Sequence, residues 1–201
     1  MNKIIIPNKE YERGLIVVDM VNVFVREGML ADPKIAEIIP RQIELIKEVT
    51  DDNGLIVFIK DTHNNNSAEF ERFGNNPHCL EGTIESELVD ELKRYEKLTN
   101  AISIVKNSTC FMEAPDFRGL IQEQQRLNNF DIVGCCTDIC VVNGAIGLAN
   151  YLDQYDRKHI INVYEDAIAT YAEDQRQEYV NAAKLLMQQQ GINIVRKRER
   201  K

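Results

Sequence analysis

The chain is 201 residues long, with 44% hydrophobic and 28% charged residues, proportions that suit a globular domain with a substantial core. A formal net charge of −8 argues against a nucleic-acid footprint or an attraction to anionic membranes. Five cysteines, three of them crowded between 135 and 140, suit no ordinary disulfide framework and point to reduced thiols in a reducing compartment.

The opening MNKIIIPNKE carries an apolar run of three residues, too short for the core of a signal peptide, and nothing downstream approaches a membrane span. A cytoplasmic protein with a single domain over 1–201 is expected. Residues 14–18 form a continuous apolar run of the kind found in strands buried on both faces, and the run stops at Asp19. Asp32-Pro33 then signals a helix start, with Ile35, Ile38, Ile39, Ile43 and Ile46 at helical spacing and Asn53-Gly54 as its end. Residues 55–59 give a second buried strand, followed at once by Lys60, Asp61, Thr62 and His63.

A polar loop over 64–83 leads to a helix predicted over 84–96, and polar loops of that length in a compact domain are more often functional than not. Residues 102–105 give a third strand ending at Lys106, and Pro115-Asp116 opens an amphipathic segment through 127. The fourth strand, 130–133, runs into GCCTDICVVNGA at 134–145, a strand-to-helix turn whose helix continues to 152. A fifth strand over 159–163, a helix over 173–190, a last strand over 192–195 and a solvated basic tail, RKRERK, complete the chain.

Uninterrupted apolar strands alternating with helices imply a three-layer α/β/α fold around a six-stranded, mostly parallel sheet. Ligands in such folds bind beyond the carboxyl ends of the strands. That rule gathers Asp19, Asp61, His63, Lys106 and Cys140 at one sheet edge. A cysteine at a helix start is expected to have its thiol pKa lowered, and a catalytic thiol needs a base and a balancing cation, which Asp19 and Lys106 can supply. Cys135 and Cys136, at the strand end, are expected to serve backbone geometry and packing. His63, His78, Asp61 and Glu69 offer nitrogen and oxygen ligands for a divalent ion, whereas His159 reads as structural. Three residues separate Cys136 from Cys140, not the two of a thioredoxin-type pair, and no Gly-rich phosphate loop follows the first strand.

Together LIVVDMVNVF, DTH with a following PHC and EGT, KNSTCF and GCCTDICV, in this order, resemble the isochorismatase-like cysteine hydrolases, especially their nicotinamidase branch. The resemblance covers 14–195 and implies a Rossmann-like strand order. It implies Asp19, Lys106 and Cys140 as a catalytic triad, with a cis peptide bond at Cys135-Cys136. It also implies an oxyanion hole from the backbone N–H groups of Cys136 and Cys140. Asp61, His63 and His78 match metal ligands, with Glu69 as a further ligand and Glu71 as its competitor, for a divalent ion expected to be zinc, with iron or manganese as alternatives. Phe24 matches an aromatic that lines the substrate pocket, although Val21-Asn22-Val23 stands where the family often has Gln-Asn-Asp. The expected activity is hydrolysis of a small amide through a thioester, nicotinamide first among substrates. Alternatives are a cysteine amidase for carbamoyl or ureido substrates and a non-catalytic ligand-binding relative. A homo-oligomer, dimer or tetramer, is the expected assembly.

Overall fold

Six short apolar runs bounded by polar turns pair into one sheet in the computed structural model, which describes residues 9–172 and 176–196. The strands are β1 (Arg13–Val18), β2 (Leu55–Asp61), β3 (Ala101–Lys106), β4 (Asn129–Cys135), β5 (Ile160–Ala169) and β6 (Asn193–Val195). Their order is β3-β2-β1-β4-β5-β6, and every pairing is parallel, a stricter case of the mostly parallel sheet that the sequence predicts. The order reverses direction at β1, which pairs with β2 on one side and β4 on the other. Beyond the carboxyl ends of β1 and β4 lies the crevice that such a switch point opens.

Helices cover both faces, and the two-residue period of the strands decides which side chains meet which layer. Ile16 and Val18 of β1 pack with Phe117, Leu120 and Leu148 on one side. Leu15 and Val17 pack with Ile35, Leu45 and Ile46 on the other. The helices are α1 (Asn22–Val25), α2 (Ile39–Asp51), α3 (Glu69–Arg72), α4 (Asp90–Lys93), α5 (Pro115–Glu123), α6 (Val142–Gln154) and α7 (Arg176–Gln189). Asp32 caps a 3-10 turn over Pro33–Ile38 through its side chain and the Lys34 N–H, and that turn feeds α2. No helix among the described residues is long and apolar enough to cross a membrane.

Three sequence expectations need adjustment. The polar loop contains α3, which matters for the site. The helix predicted over 84–96 is broken into a 3-10 turn (Ile84–Ser86), an extended step, α4, and a second 3-10 turn (Arg94–Lys97). The break has a tertiary cause. Asn22 donates to the Ile84 carbonyl, its own N–H finds Glu87, and the Val89 N–H donates to Met20, so Leu88 pairs with Val21 instead of turning. Leu88 and Val89 gain full burial in exchange for helical hydrogen bonds. The predicted last helix starts at 173, but 173–175 lie outside the described residues, as do 1–8 of the opening segment and 197–201 of the basic tail.

Gly134 fixes how closely β4 approaches β1 beside the crevice. It sits opposite Val18 with φ of 121°, and a Cβ there would lie 2.0 Å from the Val18 carbonyl oxygen. No L side chain fits without moving a strand. Gly134→Ala is expected to lower unfolding free energy by ~3 kcal/mol or more, read from urea midpoints at constant m-value.

Candidate active site

Each central strand ends in a functional group. Asp19 follows β1 with φ of 50°, its N–H bonded to the Ile59 carbonyl at 2.9 Å. Asp61 closes β2 and is the register partner of Lys106, which closes β3. Cys140 lies on a π-helical turn (Thr137–Val141) between β4 and α6. The peptide bond between Cys135 and Cys136 is cis.

Lys106 joins these ends. Its Nζ stands 2.9 Å from Asp19 Oδ2, 2.7 Å from Asp61 Oδ1 and 3.7 Å from Cys140 Sγ. The ammonium is 2% exposed and the two carboxylates are no more open. Burial pushes Asp19 up to about 6, with the Asp61 charge adding to the rise and Lys106 opposing it. Burial would also raise Asp61, but Lys106 and His63 outweigh it and hold that carboxylate at about 2. Burial disfavours the Lys106 cation, yet Asp19 and Asp61 more than compensate and raise its pKa well above the ordinary value.

Cys140 departs from the sequence expectation. Burial pushes its thiol well above the usual range, and Asp19 and Asp61 add to the rise against the pull of Lys106. A helix terminus cannot offset the loss of water around a side chain 7% exposed. Cys135 donates its thiol to the Asp19 carbonyl at 3.1 Å, which suits a packing role. Cys136, by contrast, also lines the cavity in front of Cys140.

Asp61, His63, Glu69 and His78 form the second half of the site. One ligand atom from each lies within 4.8 Å of the others, and all four residues are buried. Asp61 Oδ2 faces His63 Nε2 at 2.9 Å and His78 Nε2 at 3.8 Å. The outer nitrogens are occupied: His63 Nδ1 lies 2.6 Å from Asn107 Oδ1, and His78 Nδ1 lies 2.8 Å from the Asn76 carbonyl. Glu69 Oε2 is buried with no hydrogen-bond donor among the described residues, and Arg72 stands 3.6 Å away. A buried carboxylate oxygen without a donor, grouped with Asp61 and two imidazoles whose Nε2 atoms face Asp61, fits a divalent cation. Of the two acids, α3 turns Glu69 inward and Glu71 to solvent.

A cavity of ≈ 180 Å³ opens onto both halves. Phe24 lines it and meets His78 edge-on at 6.3 Å between ring centroids. Phe70 packs on His63 and His78, at 5.2 and 5.3 Å. Val21 and Val23 are core residues and Asn22 holds the 84–87 segment, so the three residues that depart from the family pattern do not line this cavity. Sequence reasoning missed Phe73 and Tyr171 in the wall. Tyr171 could have been found, because it lies just past the carboxyl end of β5, where the rule that found Asp19 applies equally. His159 bonds to the Arg157 carbonyl at 2.9 Å and belongs to no part of the cavity.

The Isochorismatase domain family matches residues 13–197 of the chain. Nicotinamidase 1 of Arabidopsis thaliana is 30% identical over 151 residues, 68% of this chain and 60% of its own length. The chain thus spans less than two thirds of that relative. The solved pyrazinamidase of Pyrococcus horikoshii in complex with zinc is 26% identical, covers 92% of this chain and 99% of its own, and superposes with a TM-score of 0.74. N-carbamoylsarcosine amidase of Thermoplasma acidophilum, 23% identical over 94% of this chain and 99% of its own, has the same fold with a TM-score of 0.74.

Removing one partner of a buried ion set leaves uncompensated charge, a cost of ~3–5 kcal/mol. Lys106→Met is expected to destabilise the fold by that amount at neutral pH in urea unfolding. The deficit should shrink as pH falls toward ~4, because Asp19 and Asp61 can then protonate and shed the charge left without a cation.

Proposed function

This chain belongs to the isochorismatase family, and on that premise we propose that it is a metal-assisted cysteine amidohydrolase converting nicotinamide to nicotinate and ammonia. The observation that carries this reading is the single ammonium of Lys106, which touches a thiol, a carboxylate of base-like pKa and a carboxylate of the four-donor cluster together. The activity of the Arabidopsis relative, as its name gives it, supplies the substrate.

In the proposed cycle Asp19 takes the Cys140 thiol proton as Sγ attacks the carboxamide carbon. Lys106 stays charged throughout and balances the sulfur and carboxylate. The developing oxyanion is received by the backbone N–H groups of Cys136 and Cys140, worth about 3 kcal/mol per donor. Asp19 passes its proton to the departing ammonia, leaving a thioester on Cys140. Water, deprotonated by the same carboxylate, then attacks the acyl carbon, and release of nicotinate returns the proton to sulfur. A neutral resting thiol suits this order of events, since the proton moves only when an acceptor carbon is in place.

Phe24 would lie against the pyridine ring. The cavity is close in size to the about 150 Å³ of space that holds a benzene ring. Asp61, His63, Glu69 and His78 would hold the divalent ion, zinc by donor set with iron or manganese as alternatives. When bound, it supplies a Lewis-acidic point for the heteroaromatic nitrogen, or for a water that contacts it. The same four donors favour this substrate over carbamoyl compounds handled without metal. A cytoplasmic homo-oligomer acting in NAD salvage, built on a single domain, completes the proposal.

Ammonia release from nicotinamide tests it. Cys140→Ala should lower kcat/KM by at least ~10⁴-fold with the fold intact, and full retention of activity would sink the mechanism. Chelation should remove activity and added zinc, iron or manganese restore it. The acid limb of kcat/KM should fall near pH 6, below which Asp19 holds a proton and cannot accept another. Asp19→Asn should abolish turnover rather than move that limb.

A further inference from the structure

An imidazole binds a metal through one nitrogen only if the other keeps the proton, and the group accepting that proton decides which is which. His78 is fixed by main chain, through the Asn76 carbonyl. His63 is fixed by a side chain. Its Nδ1 lies 2.6 Å from Asn107 Oδ1, an atom able only to accept, so this contact keeps hydrogen on Nδ1 and turns Nε2 toward Asp61 Oδ2. Ser67 Oγ donates to the same Oδ1 at 3.1 Å, lies 3.2 Å from His63 Nδ1, and accepts the Glu69 N–H at 3.4 Å.

We propose that Asn107 is a positioning residue for the metal centre, locking His63 as an Nε2 ligand and, through Ser67, steadying the backbone of Glu69. The proposal rests on reading Asp61, His63, Glu69 and His78 as the metal site. Asn107 touches none of the proposed reacting atoms. It directly follows Lys106, so β3 delivers the cation of the thiol set and the orienting group of the metal set from adjacent residues. The outer side of this network borders a second cavity of ≈ 390 Å³, lined by His63, Asn107 and Asp116 among others, from which water can compete for Nδ1 once Asn107 is gone.

The test measures Zn²⁺ affinity of the full chain by competition with a chromophoric chelator. N107L, of similar size and without an acceptor, should bind zinc 10–100-fold more weakly. N107D, which keeps the acceptor, should bind at least as tightly as the unaltered protein. In ¹⁵N spectra of the zinc-loaded unaltered protein, His63 should carry its proton on Nδ1 with slow exchange, and this measurement stands even if N107L fails to fold. Zinc binding by N107L equal to that of the unaltered protein, or a His63 ring metallated through Nδ1, overturns the role of Asn107 and leaves the metal site standing. An unaltered protein that binds no zinc overturns the metal site and this inference with it.

Discussion

An ammonium ion buried among two carboxylates and a thiol sets the terms for the rest of this structure. Taking a lysine out of water costs several kcal/mol, and the cost is met only if opposite charges stand within contact distance and stay there. Lys106 meets that condition because three parallel strands end at the same level. Asp61 and Lys106 are register neighbours on β2 and β3, and Asp19 follows β1 next to them. A slip of one residue in either pairing would send one of these groups to the opposite face. Sheet register and charge pairing therefore enforce each other.

The shared cation also separates the two acids. Asp61 has His63 as a second partner and is held near 2, whereas Asp19, fully buried and opposed by the charge of Asp61, rises to about 6. One carboxylate is thus kept as a permanent anion suited to a metal, and the other can give and take a proton near neutrality. Environments that push like groups apart are what assign acid, base and ligand roles. Here the difference comes from the neighbours, since the two residues are chemically identical.

Much of this was legible in the residues. Apolar runs of four or five residues, three of them ending at a charge, located the strands and their edge together, and the edge located Asp19, Asp61, His63, Lys106 and Cys140. The parts that stayed hidden depend on tertiary contacts. Periodicity over 84–96 favours a helix, but Asn22 and Met20, more than 60 positions away, take the backbone groups that a helix would need. Glu69 and Glu71 are equivalent in sequence until α3 turns one inward. The thiol of Cys140 follows burial, which a helix-start argument does not contain. Asn107 stands in plain view after Lys106, yet its role rests on a 2.6 Å contact with a ring 44 positions earlier.

The cavity wall and the reacting set are held by different parts of the chain. Cys140, Lys106 and the acids come from the ends of the central strands, where each is tied to the others by charge. Phe24, Phe73 and Tyr171 come from segments beyond those ends and line the cavity without joining that charge set. Ionic coupling makes the first group intolerant of piecemeal change, while the second can vary one residue at a time. Such a chain is divided into a locked engine and a separately adjustable mouth, so the shape of the cavity can change while the charge set around Lys106 stays whole.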